Sequence, residues 1–409
     1  MQITLSEAGN ILKYIVENNK KLKDSGSMPC AVNLMSDPGI GKTSLVEQVA
    51  NELGCQYVKL NLAQITEPSE MAGWPIKEHY VCKHDPEHPE NDECAWITHE
   101  LIEGYSRAGW EITNETRMSY AVPAWLANLD PEKPTIVNYD DFSRANLACI
   151  QSVLEVVHRQ EYISWKLPHY TTVVLTSNYD DGTENVQSVD SATLTRMITF
   201  DVRFDVQSWS QWAERQELDS RGINFLLHYH TELMDKGKTK TAKVNARNYT
   251  MFINTISGIK DWSTSENLAF ILQLASGCFL DDKENIVGHL FSTFIANKLD
   301  KLPIPETLVT QKWDTLGPKL EALLYESGRY RPDLAAILST RFCNYSLTLF
   351  EKKGTKTDPI VNRILEIIDN PTILFSEDLI FNLIKTLHKK YPARCNKLLM
   401  NPKIIKKLM

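Results

Sequence analysis

The chain has 409 residues, 43% of them hydrophobic, so it can bury large cores and should divide into two or three domains. A formal net charge of −8 argues against a protein that coats nucleic acid non-specifically. The eight cysteines are irregularly spaced, unlike a disulfide framework. No signal-peptide core is found at the start, and no apolar run approaches the roughly 20 residues that span a bilayer. We therefore expect a cytoplasmic protein without a membrane partner.

Hydrophobic patterning predicts alternating helices and strands in the first half of the chain. In chain order these are a helix at 1–23, a strand at 30–35, a helix at 43–53, strands at 55–62 and 134–139, a helix at 146–160, a hairpin at 162–168, and strands at 171–177 and 197–202. The polar stretch 77–120 is predicted as an insertion. Such alternation indicates a parallel sheet covered by helices. Beyond about residue 206 only amphipathic helical patterns follow.

The segment from Ser36 to Thr43 lies between a predicted strand and a predicted helix, which is the setting of a phosphate-binding loop. It matches the pattern G-x-x-x-x-G-K-[ST] except at the first glycine, where Ser36 stands. In such loops the lysine binds the β- and γ-phosphates, and the hydroxyl of the final Ser or Thr coordinates Mg²⁺. The sequence therefore predicts a nucleoside triphosphate site. Its residues are Asp37, Pro38, Gly39, Ile40, Gly41, Lys42, Thr43 and Ser44.

Polar side chains also follow two later predicted strands. Asp140 and Asp141 come after the strand at 134–139, and Asn178 follows the strand at 171–177. Ligands of open parallel sheets bind beyond the carboxyl ends of the strands, so these side chains should converge on the phosphate loop. An NTPase needs one carboxylate for the Mg²⁺ shell and one that orients water, which suits the two aspartates.

These motifs, in this order, resemble an AAA+ ATPase, and within that family the MoxR-like, dynein-related group. The resemblance covers about residues 28–260 and depends on motif order and spacing. The segments that carry it besides the loop are 61–64 (Asn-Leu-Ala-Gln), 67–75 (Glu-Pro-Ser-Glu-Met-Ala-Gly-Trp-Pro), 121–126 (Ala-Val-Pro-Ala-Trp-Leu), 140–145 (Asp-Asp-Phe-Ser-Arg-Ala) and the hairpin at 162–168.

The resemblance implies a fold and a set of roles. The fold is an α/β AAA+ P-loop NTPase core with a parallel sheet at 1–205, an all-helical lid at 206–300 and a helical C-terminal domain at 301–409. The implied roles are Mg²⁺ binding for Thr43 and Asp140, polarisation of water for Asp141, a first sensor for Asn178, a finger into the neighbouring subunit's site for Arg196, and a second sensor for Arg247.

The resemblance further implies Mg²⁺-dependent ATP hydrolysis by a homo-oligomeric ring, expected to be a hexamer, that remodels a protein partner in a chaperone-like way. That partner often has a von Willebrand A domain. One departure concerns the rate: Asp141 stands where the family usually has glutamate. The aspartate side chain is shorter than that of glutamate by about one C–C bond, so its carboxylate lies further from the attacking water. Since a misplacement near 1 Å can cost about 10²-fold in rate, we expect slow hydrolysis.

Other classes stay open. A clamp-loader-like or helicase-loading ATPase acting with DNA shares the loop, the acidic strand end and the arginine, although the hairpin and the insertion count against it. A nucleotide-binding assembly subunit that has lost hydrolysis would also explain Asp141. GTP in place of ATP is not excluded, because the residues that contact the base carry no recognisable pattern.

The insertion contains a cluster of zinc-ligand types, Cys82, His84, His88 and Cys94, which could supply four ligands. The spacing is not that of a standard finger, so a polar surface loop with incidental cysteines is the favoured alternative.

Overall fold

A computed structural model describes residues 2–84, 92–179, 195–234, 244–280, 285–352 and 358–395, with isolated positions after these. The chain divides into two compact units, Met1–Arg203 and Phe204–Met409. Each unit has its own hydrophobic core. In the ranges given above, every helix is too short or too polar to cross a bilayer.

The first unit contains strands and helices in alternation. Its strands are β1 (Gln2–Thr4), β2 (Val32–Ser36), β3 (Gln56–Asn61), β4 (Pro75–Lys83), β5 (Glu93–Thr98), β6 (Glu111–Tyr120), β7 (Thr135–Asp140), β8 (Glu161–Tyr162), β9 (Trp165–Lys166), β10 (Thr171–Asn178) and β11 (Ile198–Arg203). Its helices are α1 (Leu5–Asp24), α2 (Lys42–Leu53), α3 (Pro68–Ala72), α4 (Ile102–Arg107), α5 (Ala124–Ala127) and α6 (Leu147–Arg159).

Six of the described strands form one parallel sheet in the order β1-β11-β2-β10-β7-β3. Every residue of β7 and β10 is buried, as expected for central strands covered on both faces. The predicted helix-covered parallel sheet is confirmed, with strand ends shifted by a residue or two. Strand β1 was not predicted, because three residues are too few to show a period.

The helices that flank the sheet have clear start and stop signals. Helix α2 ends at Leu53 and is capped by Gly54, whose φ of 66° is the left-handed conformation that caps helices. Helix α6 begins at Leu147 after the cap residue Asn146, whose side chain accepts a hydrogen bond from the Cys149 N–H. Val153 and Val157 of α6 are buried against the sheet-side core. These local signals explain why the helix predictions were close to the observed bounds.

The predicted insertion forms a separate antiparallel sheet in the order β5-β4-β6. Arg117 on β6 pairs with Glu78 on β4 and stacks over the Trp96 ring on β5, so its side chain bridges all three strands. The predicted hairpin is confirmed as the antiparallel pair β8–β9. Trp165 of this hairpin packs edge-on against Trp125.

Two sequence predictions about the cysteines need correction. Cys82 on β4 and Cys94 on β5 face each other and form a disulfide, although no disulfide was expected. Disulfide sulfurs are not thiolates and cannot bind zinc as such, while His84 forms a hydrogen bond of 2.7 Å with Asp92. His88 lies outside the described residues. No cluster of three metal-binding side chains occurs in the part of the chain that the structure describes, so zinc is not supported.

The second unit is mostly helical. Its helices are α7 (Val206–Arg215), α8 (Ser220–Met234), α9 (Ala246–Ile256), α10 (Ser265–Cys278), α11 (Ile286–Ala296), α12 (Pro305–Thr310), α13 (Trp313–Leu324), α14 (Pro332–Glu351), α15 (Asp358–Asp369) and α16 (Glu377–Lys390). A short hairpin of β12 (Tyr325–Glu326) and β13 (Arg329–Tyr330) corrects the expectation that helices alone would follow residue 206. The division into a lid and a C-terminal domain near residue 300 stays a prediction.

Candidate nucleotide-binding site

The loop between β2 and α2 has the backbone shape that a phosphate requires. Gly39 and Gly41 have φ values of 76° and 106°, in the region that side chains disfavour. Helix α2 begins at Lys42 directly after Gly41, so its first backbone N–H groups open into the loop. A helix N-terminus of this kind attracts anions through these N–H groups and the helix dipole.

The side chain of Lys42 is buried beside the loop, with 7% of the residue exposed. Its ammonium donates hydrogen bonds to Ser36 Oγ at 2.7 Å, to the Asp37 carbonyl at 3.1 Å and to Asn178 Oδ1 at 3.0 Å. The predicted phosphate-binding lysine and the predicted sensor amide are thus in direct contact.

The two predicted Mg²⁺ residues are also in contact. The Thr43 hydroxyl donates to Asp140 Oδ1 at 2.7 Å. The hydroxyl of Thr176, on the neighbouring strand β10, donates to the same carboxylate oxygen. Lys59 on β3 approaches the other oxygen, Asp140 Oδ2, with its ammonium at 3.7 Å. The Asp140 carboxylate is therefore held from three elements.

Parallel register explains why these residues meet. On β10, Asn178 is level with Ser36 of β2, and Leu175 is level with Tyr139 of β7. Since side chains alternate along a strand, Thr176 and Asn178 lie on the same face of the sheet. One strand thereby supplies a hydroxyl to Asp140 and an amide to Lys42.

Asp141 has φ and ψ of 53° and 39°, a left-handed conformation that aspartate tolerates better than most residues. Its backbone N–H donates to the Thr176 hydroxyl at 3.3 Å. The following turn contains Ser143, whose hydroxyl accepts the Asn178 N–H at 2.9 Å. These bonds fasten the backbone at Asp141 to the carboxyl end of β10.

Arg196 precedes the amino end of β11, whereas the loop follows the carboxyl end of the neighbouring strand β2. Strand β11 starts at Ile198, level with Val32 at the beginning of β2. The position level with Ser36 is four residues further on, or about 13 Å at about 3.3 Å per residue. Arg196 is exposed and precedes even Ile198, so the structure does not bring it to the loop of its own chain.

Arg247 belongs to the second unit. It is exposed and lies in the first turn of α9, which begins after Asn245, a cap residue whose side chain accepts the Asn248 N–H. Its role as a sensor stays a prediction.

The residues fit the groups that the motifs imply. Mg²⁺ favours hard oxygen ligands and keeps several waters, binding through one or two carboxylates and substrate phosphates. Thr43 and Asp140 offer a hydroxyl and a carboxylate side by side at the end of the loop. The glycine-shaped loop and Lys42 suit a chain of phosphates.

Sequence reasoning missed several residues of this site, namely Lys59, Ser143, Thr176 and the hydroxyl of Ser36. Thr176 could have been found, because it lies two residues before Asn178 on the same strand face. Lys59 and Ser143 carry no such signal, since their contacts depend on strand order and on the turn after β7.

Comparison with known proteins bears on the first unit. Residues 32–84 match the family described as "ATPase family associated with various cellular activities (AAA)". The matched segment runs from β2 through the loop and α2 to β4. Together with the parallel sheet and the loop, the match gives the first unit an AAA+ P-loop NTPase-like fold, as predicted.

A curated protein and several solved structures are also similar. Lon protease of Buchnera aphidicola (subsp. Acyrthosiphon pisum, strain APS) is 36% identical over 63 residues, which cover 15% of this chain and only 8% of the protease. A RuvB mutant of Thermotoga maritima is 12% identical, with a TM-score of 0.36 over 79% of this chain and 84% of that one. The RuvB Holliday junction branch migration motor of Thermotoga maritima is 14% identical, with a TM-score of 0.35 over 80% and 86%. Similarities with such low TM-scores, or over so small a part of a protein, carry no information about a shared activity.

Proposed function

We propose that this protein is an ATPase that hydrolyses ATP with Mg²⁺ in an oligomeric ring. The observation that carries the proposal is the convergence of Lys42, Thr43, Asp140 and Asn178 at one edge of the parallel sheet. Support for this reading comes from the AAA match over residues 32–84. A lysine can also be buried for purely structural reasons. Such a role would not require a glycine-containing loop at the start of a helix.

The contacts support the tasks proposed for Lys42, Thr43 and Asp140, and the AAA+ resemblance supports those proposed for Asp141 and Asn178. Lys42 and the first N–H groups of α2 would bind the phosphates, and Thr43 with Asp140 would hold Mg²⁺. When bound, Mg²⁺ neutralises charge on the phosphate oxygens. Asp141 would accept a proton from, or orient, the attacking water, and the Asn178 amide would position that water.

The place of Arg196 supports a ring. An arginine supplied to a phosphoryl-transfer site is worth about 10³ to 10⁵ in rate. Arg196 lies at the amino ends of the strands, away from the loop of its own chain, so the finger that we propose would serve a site on another copy. A head-to-tail arrangement of subunits meets this need, and a closed head-to-tail arrangement is a ring, here expected to be a hexamer.

Two mutants that fail for different reasons test this arrangement. Asp141→Asn leaves a finger but no catalytic carboxylate, whereas Arg196→Ala leaves a complete site but no finger. Each variant alone should be inactive. An equal mixture should recover about one quarter of the unaltered ATPase rate, because a random ring pairs an intact site with an intact finger at that frequency.

The outcomes separate the alternatives. No recovery, with both variants forming rings, would exclude an arginine acting between subunits. No turnover by the unaltered chain, with ATP-dependent ring assembly, would favour an assembly subunit that has lost hydrolysis. Comparing ATP with GTP in the same assay decides the base preference.

The output that we propose is chaperone-like remodelling of a protein partner, as in the MoxR-like group, with a von Willebrand A domain as a candidate partner fold. Support comes from the hairpin β8–β9 and the segments between the main motifs, which resemble that group. Capture on an ATP-trapped Asp141→Asn ring tests it. Stimulation of turnover by DNA, and not by a captured protein, would favour the clamp-loader-like or helicase-loading alternative.

A further inference from the structure

The residue that breaks the loop pattern makes the shortest of the side-chain contacts described for Lys42. Ser36 ends strand β2 and is fully buried. Its Oγ accepts a hydrogen bond of 2.7 Å from the Lys42 ammonium. A glycine at this position, which the pattern prescribes, has no side-chain oxygen and could not make this bond.

The Ser36 hydroxyl is oriented for this contact. Its own proton is donated to the Asp37 carbonyl at 2.7 Å, which leaves the oxygen lone pairs for Lys42. Ser36 is level with Asn178 on the adjacent parallel strand, so the two side chains reach the same ammonium from neighbouring strand ends. Because of this register, Ser36 and Asn178 bind the Lys42 ammonium from two sides.

An ammonium has three N–H donors. Those of Lys42 face Ser36 Oγ, the Asp37 carbonyl and Asn178 Oδ1, and the Ser36 carbonyl lies at 3.3 Å. A phosphate oxygen can therefore be bound only by exchanging one of these protein oxygens. Hydrogen bonds to charged groups are the strong ones, and a buried one is the most costly to exchange.

We propose that Ser36 is a positioning residue that holds Lys42 on Asn178 and so weakens the binding of phosphates by the loop. The inference rests on the proposed nucleotide-binding function and adds a tuning element to that site. It predicts that loss of the hydroxyl tightens nucleotide binding. Structural damage at a buried strand end would have the opposite effect, so the sign of the change is informative.

The test compares Ser36→Ala with a matched control, Ser177→Ala, in the full chain. Ser177 is also a buried serine near a strand end, but its hydroxyl donates to Asn33 Oδ1 at 2.7 Å and makes no described contact with Lys42. Titration calorimetry with MgADP should give a Kd about fivefold to tenfold lower for Ser36→Ala, and little change for Ser177→Ala. An unchanged or higher Kd in a folded Ser36→Ala variant would overturn the inference.

A second measurement needs no nucleotide. Peptide mass spectrometry after brief treatment with an acetylating reagent reports how readily the Lys42 amine leaves its partners. Lys42 should be modified several-fold faster in Ser36→Ala than in the unaltered chain or in Ser177→Ala. Equal rates would overturn the inference.

The two measurements also separate the inference from the proposed function. If MgADP fails to bind the unaltered chain, the proposed function and the tuning role both fall. If it binds with equal Kd to all three proteins, nucleotide binding as proposed stands and only the role of Ser36 is wrong.

Discussion

The ammonium of Lys42 donates a hydrogen bond of 3.0 Å to Oδ1 of Asn178, which lies 136 residues further along the chain. This bond joins the phosphate loop to the end of β10. Any movement of Lys42 toward a phosphate therefore changes the surroundings of the Asn178 amide, so nucleotide binding and the proposed positioning of water by Asn178 would be coupled at this pair.

Asn178→Ala should lower the ATPase rate about 10²-fold while nucleotide still binds, because one preorganised polar group at the reacting centre is lost. Steady-state turnover and calorimetric binding measure the two effects. Asn33→Ala is a matched control, since Asn33 is also a buried amide on a neighbouring strand but bonds to Ser177. A similar loss of turnover in both variants would mean that Asn178 has only a structural role.

Asp141 should limit the rate of hydrolysis. Asp141→Asn removes the carboxylate and should abolish turnover, whereas Asp141→Glu lengthens the side chain and should raise turnover about 10-fold or more. Single-turnover kinetics at saturating MgATP measures the chemical step. A slower Asp141→Glu variant would show that reach is not the limiting factor, and that the left-handed backbone at this position favours aspartate.

The Thr43 hydroxyl should set the Mg²⁺ requirement. Thr43→Ala removes the group that touches Asp140, so we expect the Mg²⁺ concentration for half-maximal ATPase rate to rise about tenfold. Thr43→Ser keeps the hydroxyl and should restore the original Mg²⁺ dependence. Failure of the serine variant to do so would assign the effect to packing of the threonine methyl group.

The second unit depends on a buried ion pair. Arg341 on α14 and Glu214 on α7 have side chains that are 2% and 8% exposed and meet at 2.7 Å, and Arg341 also donates to Ser220 and Asn224. Removing one partner leaves a buried charge unpaired, which costs about 3–5 kcal/mol.

Arg341→Ala should therefore speed amide hydrogen exchange along α14 in the full chain. The pair formed by Arg331 and the exposed Glu326 gives the control, because Glu326→Ala should change stability by less than about 1 kcal/mol. Equal rates of amide hydrogen exchange in the two variants would contradict the claim that the buried pair stabilises the second unit more than the control pair does.

Alkylation tests the disulfide. The eight cysteines include Cys82 and Cys94 as a bonded pair, while six others are not disulfide-bonded. Denatured protein treated without reductant should gain two fewer alkyl groups than reduced protein, and the missing label should map to these two positions. Because disulfides persist only in oxidising compartments, equal labelling of protein alkylated in freshly lysed cells would show that the pair is reduced in the cell.

Much of the site could be predicted from sequence because its signals are local. A glycine pair followed by Lys42 and Thr43 determines a loop shape, and an apolar run that ends in Asp140 and Asp141 determines a strand end. Alternation of strands and helices then implies a parallel sheet, whose carboxyl ends share one edge.

The insertion shows the limit of such reasoning. Its Cys and His residues can bind zinc, and its two cysteines can also form a disulfide. Spacing alone could not tell a zinc site from a disulfide. Pairing of β4 with β5 places Cys82 opposite Cys94, and this register was not readable from composition.

By itself, the sequence determined the phosphate loop, the acidic strand end and the helix-covered parallel sheet, since each follows from the identity and spacing of near neighbours. Only the tertiary structure decided which side chains touch. Strand order places β10 beside β2, so Ser36 and Asn178 share Lys42, and the register of β11 with β2 leaves Arg196 at the amino ends of the strands, away from the loop. Contacts between distant strands depend on register, and register is set by packing of the whole sheet.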